Sequence, residues 1–430
     1  MKFSKQLIAC AVAAGLAAPM SAFATNGYFA HGYSAKGKGL AGGGSALPQD
    51  AMTAADNPAG MVKVGERMDL GLSIFSPSSR GYKTTGGFSG PPAFSLELGD
   101  YESDNDFFLI PHFAYNWMLN DESSIGISIY GNGGMNTEYP SSMYTIAAGG
   151  PCTEPGTFYC GKAGVNLEQL FSNVSYSRKI NDKHSWGVSA ILAYQRFSAD
   201  GLGAFDLFGF SSDGTKLTNN GTDTSFGYGA KIGWLGEVSP GLSLAASYQT
   251  KMSMDEFSDY AGLFAEQGGF DIPASWTVGL AWDLAKTGTL TFDVQGIQYS
   301  DVKSIGNPFA SPGQLGDADG PGFGWEDIIV YKLGYQWTTS PTWTWRVGAS
   351  LGENPIPSSE VLFNILAPGV METHLTGGFT YTLATDNEIT FAAMYAPETT
   401  VTGTNPLDPA QQIELYMTQW ELTASWGLKF

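Results

Sequence analysis

Tyr416-Met417-Thr418-Gln419-Trp420-Glu421-Leu422-Thr423-Ala424-Ser425-Trp426-Gly427-Leu428-Lys429-Phe430 ends the chain, and its alternation decides the fold. Tyr416, Thr418, Trp420, Leu422, Ala424, Trp426, Leu428 and Phe430 share one face. Gln419, Glu421, Thr423, Ser425, Gly427 and Lys429 share the other. Successive side chains of a strand point to opposite faces. An apolar-out, polar-in strand of this length, with an aromatic last residue, is the signature of a transmembrane β-barrel. Strands of soluble proteins run to about five or six residues.

The same period recurs upstream. Trp276, Val278, Leu280, Trp282 and Leu284 oppose Ser275, Thr277, Gly279 and Asp283, and Trp343, Trp345, Val347, Ala349 and Leu351 oppose Thr344, Arg346 and Ser350. Alternation predicts fourteen strands, over 64–77, 105–119, 123–135, 165–180, 184–198, 223–238, 241–256, 272–285, 288–301, 327–339, 342–353, 371–384, 387–397 and 412–430. The connections alternate between six short turns and seven long loops, the last of them at 398–411. Short periplasmic turns and long external loops are the expected asymmetry of an outer-membrane barrel, with both termini periplasmic.

Composition agrees. The chain has 56 glycines, is 13% aromatic and only 14% charged, against about 25% charged residues in ordinary soluble domains. No stretch is long and apolar enough for a transmembrane helix. Residues 1–24 read as a signal peptide: Lys2 and Lys5 precede an apolar run over 7–16, and Ala22-Phe23-Ala24 is a small-x-small cleavage site. Leu7-Ile8-Ala9-Cys10 imitates a lipoprotein box, but cleavage there would leave too short an apolar core. The net charge is −20, which argues against nucleic acid as a partner. Cys152 and Cys160, close together in an exported chain, are expected as a disulfide closing a small loop. With no nearby His or third Cys they make a poor metal site, and the chain implies no metal or cofactor.

Residues 25–61 lack strand alternation and crowd seven glycines between Gly27 and Gly44. They read as a compact plug, or hatch, leaving 62–430 for the barrel. Fourteen strands enclose a lumen that small eight-stranded barrels do not have, so something must fill or shape it.

The plug ends in Asp56-Asn57-Pro58-Ala59-Gly60-Met61. Tyr130-Gly131-Asn132-Gly133-Gly134-Met135-Asn136-Thr137 ends the third strand, and Gly164-Val165-Asn166-Leu167-Glu168-Gln169-Leu170 opens the fourth. These three motifs, in this order, resemble the long-chain fatty-acid outer-membrane transporter family (FadL/TodX), across the whole mature chain. The resemblance implies passive uptake of hydrophobic molecules, with long-chain fatty acids as the first expectation and aromatic or alkane hydrocarbons as the alternative. It implies a route from an external loop groove, to a lumen site beside the hatch, to a lateral exit at a kink in the third strand. A general diffusion porin or a surface adhesin barrel is the reading from another class.

Particular residues follow from this. Gly131, Asn132, Gly133 and Gly134 are the expected kink; glycines there could equally ease barrel curvature. Asn57, Pro58 and Ala59 are expected to set the plug's exit angle, or to form an ordinary turn. Leu202, Phe205, Leu207, Phe208 and Phe210, with Tyr260, Leu263, Phe264 and Phe270, make two apolar external loops. They would form a greasy landing groove or pack together as a lid. A carboxylate head group would want a cation. Alternation points Arg346, Lys332, Lys231, Lys251 and His112 into the lumen, with Lys36, Lys38, Lys63 and Arg67 near the plug. Arg346 is the first choice, because a guanidinium grips a carboxylate bidentately. The four His residues stand in no nucleophile motif, so an enzyme is not expected. Other expected partners are outer-membrane lipid and lipopolysaccharide, and the barrel-assembly machinery through the Phe430 strand.

Overall fold

A computed structural model describes residues 25–87, 89, 93–140, 157–158, 161–285, 287–384 and 386–430. The expected signal peptide and the Cys152–Cys160 disulfide lie outside the described residues. Fourteen strands form one closed antiparallel ring. They are β1 Arg67–Gly86, β2 Phe108–Asn120, β3 Ser123–Tyr139, β4 Ala163–Lys179, β5 His184–Asp200, β6 Asp223–Ser239 and β7 Leu242–Gln249, followed by β8 Ser275–Asp283, β9 Thr289–Ile297, β10 Ile328–Ser340, β11 Trp343–Gly352, β12 Thr373–Ala384, β13 Asn387–Asn405 and β14 Asp408–Lys429. Each pairs with its sequence neighbours. The ring closes where β1 meets β14, from Arg67 opposite Lys429 to Gly86 opposite Gln411. Two short strips, Gly99–Glu102 and Ser253–Met254, extend β1 and β6 beyond the ring.

The wall is inside-out relative to a soluble protein. Leu192, Tyr228, Ile232, Val278, Leu375 and Leu422 are exposed on its outer surface, while Gln419, Glu421, Ser175, Ser189, Gln195 and Thr291 are buried within. This distribution suits a wall that meets lipid outside and polar matter inside.

Three expectations are corrected. The seventh loop, 398–411, is instead a tall hairpin turning at residues 406–407, because β13 and β14 run for 19 and 22 residues. Its Thr399, Thr400, Val401, Thr402 and Thr404 are all β-branched residues, which favour strand. The first strand runs from Arg67 to Gly86 and not over 64–77: Met61–Val64 forms a helical turn, Gly65 then redirects the chain at φ 73°, and pairing with the tall β14 carries the strand on to Gly86. The seventh strand stops at Gln249, well short of 256. The chain leaves the ladder there, the alternation loses its parity, and Lys251 turns outward to pair with Asp271 at 2.7 Å. Lys251 is therefore not a lumen cation.

The inward face also changes character along the barrel axis. On β14 the inward residues nearest the short turns are Thr423, Glu421 and Gln419; farther out they are Met417, Leu415 and Ile413, all buried. On β4 Ser177, Ser175 and Asn173 give way to Phe171, Leu167 and Val165, interrupted by Gln169. The lumen is thus polar in its lower half and largely apolar in its upper half.

Candidate functional site: plug, wall gap and apolar chamber

The plug fills the polar half. Its short helical turns, Ala35–Lys38, Thr53–Asp56 and Met61–Val64, bury most of their residues. Asn57 caps the next turn through Ala59 N–H (3.1 Å) and donates to the Trp234 carbonyl on β6 (3.0 Å). The Ala59 carbonyl accepts from Ser177 (3.1 Å) and Ser185 (2.8 Å). Any side chain at Gly233 or Gly187 would strike Asn57 or Pro58, at 1.9 and 2.5 Å. Asn57, Pro58 and Ala59 therefore moor the plug to β4, β5 and β6.

Buried charges bolt the remainder. Lys36 pairs with Glu388 (2.5 Å), which also takes Arg67 (2.6 Å); Arg67 grips Asp69 through two nitrogens. Lys38 pairs with Glu421 and donates to Ser73 (2.8 Å). Burial holds the His31 imidazole well below its usual range, with Lys38 and Lys332 adding to the effect. His31 is thus neutral where it approaches Glu421 at 3.4 Å and stacks on His374.

The expected head-group cations belong to this layer. Arg346 donates to Thr380 (2.7 Å) and to Gln49 of the plug (2.8 Å). Lys332 donates to the carbonyls of His31 and Gly42, both at 3.2 Å, and Lys231 to that of Ala55. His112 is buried nearby, packed on Gly71, and Lys63 reaches the Asp182 carbonyl at the rim (2.8 Å). These buried cations bond to the plug, and among the described residues none lines the apolar chamber above it.

The wall has one broken ladder beside the plug. Pairing between β2 and β3 ends at His112 opposite Tyr130, yet β3 continues to Tyr139. On its other side the β4 register shifts between Gly131 and Gly133, with Asn132 as the extra residue of a bulge. The freed edge of β3 is taken by the plug. Ala30 N–H donates to the Asn132 carbonyl (2.8 Å), and Gly134 N–H donates to that of Tyr28 (3.0 Å). A Cβ at Gly133 would lie 1.8 Å from the Tyr28 oxygen, so only glycine admits the plug here. Asn132, fully buried, ties the bulge to Gln169 (3.0 Å) and accepts from Tyr33 (3.2 Å).

Above the plug lies an apolar chamber. Leu202, Phe205, Leu263 and Phe264, all expected from sequence, line it with Val165, Phe197, Phe323, Phe363 and Leu366. Tyr260 and Phe270 are buried in the same core, Phe210 packs against it, and Leu207 and Phe208 stand half exposed on the outer surface. The free space is only about 30 Å³, room for one or two waters. The loops thus pack together over the chamber, with Leu207 and Phe208 exposed outside it. Alternation hid Phe197 and Val165, whose strands face a lumen expected to be polar. Phe323, Phe363 and Leu366 sit in loops whose inward direction has no periodic signal.

A closed fourteen-stranded barrel with a plugged lumen, lipid-facing wall and apolar inner chamber defines an integral outer-membrane channel of the transport class. The model of the outer membrane protein transport protein family (OMPP1/FadL/TodX) matches residues 15–424, and the chain belongs to that family. The long-chain fatty acid transport protein of Escherichia coli K12 is 23% identical over 449 aligned positions, covering 91% of this chain and 92% of that one. The protein of the same description from Salmonella typhi is 23% identical over 321 positions, 66% of this chain and 69% of that one. Among solved structures, the Pseudomonas putida toluene transporter TodX superposes with a TM-score of 0.67 at 20% identity, covering 94% of this chain and 100% of that one. A Pseudomonas aeruginosa FadL homologue gives 0.66 at 14% identity, with 94% and 100% covered.

Proposed function

We propose that the chain admits hydrophobic molecules to the upper chamber and releases them sideways through the gap between β2 and β3. Long-chain fatty acids are the first reading, supported by what the curated relatives are described as carrying. The observation that carries the lateral route is the broken β3 ladder, whose freed edge exchanges two main-chain hydrogen bonds with the plug. Backbone groups at such a break cannot be satisfied by lipid, so the gap must be covered by protein or open to a cavity. A movable plug meets both demands in turn.

One observation favours aromatic or alkane hydrocarbons as a second reading: among the described residues, the chamber's lining carries no charge, and its one hydroxyl is that of Ser304. A carboxylate would need a cation brought in by plug movement. A plugged lumen does not suit a general diffusion porin. The reading makes the chain a channel and not an enzyme; Ser350 and His374 do meet (3.1 Å), but both are buried beside the plug. Phe430, half exposed at the rim, is available to the barrel-assembly machinery, and the apolar wall to outer-membrane lipid and lipopolysaccharide.

The test is uptake of radiolabelled oleate and toluene by cells lacking other such transporters, with and without this chain. Import of one or both is expected. Equal import of small sugars, with neither hydrophobic probe favoured, would overturn the reading.

A further inference from the structure

Tyr299 lies in the external loop after β9, far in sequence from both the plug and β3, and is fully buried. Its hydroxyl sits inside the turn that opens the plug. It accepts from the backbone N–H groups of Tyr28 (3.2 Å) and Phe29 (3.4 Å) and donates to the Asn26 carbonyl (2.5 Å). The ring packs on Tyr28 (5.2 Å between centroids), Phe29 (5.9 Å) and Trp325 (5.0 Å). The turn it holds is the one whose next groups, the Tyr28 carbonyl and the Ala30 N–H, close the β3 gap.

The same loop forms part of the chamber. Ser304, Leu315 and Phe323 line the cavity, and the loop ties its ends together through Trp325 N–H to the Ile305 carbonyl (2.9 Å) and Phe323 N–H to that of Ser304 (3.3 Å). A molecule entering a chamber with about 30 Å³ of free space must displace its walls. The loop that carries Phe323 carries Tyr299 with it.

The geometry points to Tyr299 as a latch: a positioning residue through which occupation of the upper chamber loosens the plug's seal on the third strand. This rests on the lateral-exit reading above, which it deepens by naming the element that joins chamber to gate. Cargo is not required to touch the plug. It spreads the loop, the hydroxyl leaves the Asn26–Phe29 turn, and the two seal bonds lose their support.

The experiment uses the whole purified protein in lipid nanodiscs and measures amide hydrogen exchange at Ala30 and Gly134, the two seal donors. Tyr299→Phe keeps the ring and removes only the hydroxyl. It should speed exchange at both amides by about tenfold or more, since three polar contacts are lost. Tyr260→Phe is the control for a purely structural hydroxyl, because that side chain bridges Ala199 and Gly221 away from the seal. It should leave both amides unchanged. Dodecane added to the wild-type protein should speed the same two amides, and should add little in Tyr299→Phe. Unchanged exchange in Tyr299→Phe, or equal acceleration in Tyr260→Phe, would overturn the latch. Faster exchange without any change in cellular uptake would uphold the latch and count against the lateral exit instead.

Discussion

Gly133→Ala should unseat the plug from the wall. The added Cβ would lie 1.8 Å from the Tyr28 carbonyl oxygen and 2.8 Å from its carbon. Both are backbone atoms, so no rotamer change relieves the clash. The plug edge must withdraw, and with it go the hydrogen bonds of Ala30 to Asn132 and of Gly134 to Tyr28. A net hydrogen bond contributes about 0.5–1.5 kcal/mol, so two are worth roughly 1–3 kcal/mol. That shifts the open-to-closed ratio by about 5- to 150-fold. Two assays read it: amide exchange at Ala30 in the purified protein, and the initial rate of oleate or toluene uptake in cells. Both should rise. Gly203→Ala is the matched control, because a Cβ there meets nothing within 4 Å. If Gly133→Ala leaves exchange and uptake at wild-type values, the plug edge does not gate the third strand.

Further expectations concern the bolts and the chamber. Glu388→Ala leaves Lys36 without its carboxylate and Arg67 with only Asp69. Breaking a buried pair from one side costs about 3–5 kcal/mol, so protease sensitivity of the plug and conductance in planar bilayers should both increase. The plug should also respond to pH through Asp56, whose carboxyl burial raises to about 7 despite Lys231 and Lys332, with Asp50 and Asp293 adding to the rise. A carboxyl raised in the docked state binds its proton more tightly there than when released. Docking is then strongest below the free value of 3.8 and weakens as pH rises towards 7. Plug exchange measured across that window should accelerate beyond the intrinsic rate, and Asp56→Asn should flatten the profile; an opposite slope would refute the assignment. Phe323→Asp puts an unpaired carboxylate into the chamber wall, and uptake of both hydrophobic probes should fall by about tenfold or more. Normal uptake would remove the chamber from the route.

The barrel was legible because a strand that separates lipid from a filled lumen must alternate. Leu422 and Glu421, adjacent in sequence, are 51% and 2% exposed. The glycines of β3 were legible as a weak point, since a ladder with Gly131, Gly133 and Gly134 invites a bulge. What fills the gap was not, because the match of Tyr28–Ala30 to β3 depends on close approach of two backbones and leaves no mark on side-chain pattern. The cations show a different limit. Alternation pointed Lys231, Lys332 and Arg346 inward, but direction alone cannot distinguish an ammonium that awaits a ligand from one that holds a plug carbonyl. Lys251 shows how a single break in a strand inverts every direction after it. Tyr299 was invisible because its partners lie more than 250 residues away, joined only by the closed ring.

If cargo leaves through the third-strand gap, a covalent lock across the seal must stop uptake. Ala30 and Asn132 lie opposite each other across the seal, joined by the 2.8 Å hydrogen bond. Facing antiparallel residues are within the roughly 4.4–6.8 Å Cα separation that a disulfide spans. In cells carrying Ala30→Cys with Asn132→Cys, oxidation should abolish uptake of oleate and toluene, and reduction should restore it. Undiminished uptake with the disulfide fully formed would mean that cargo leaves by another route.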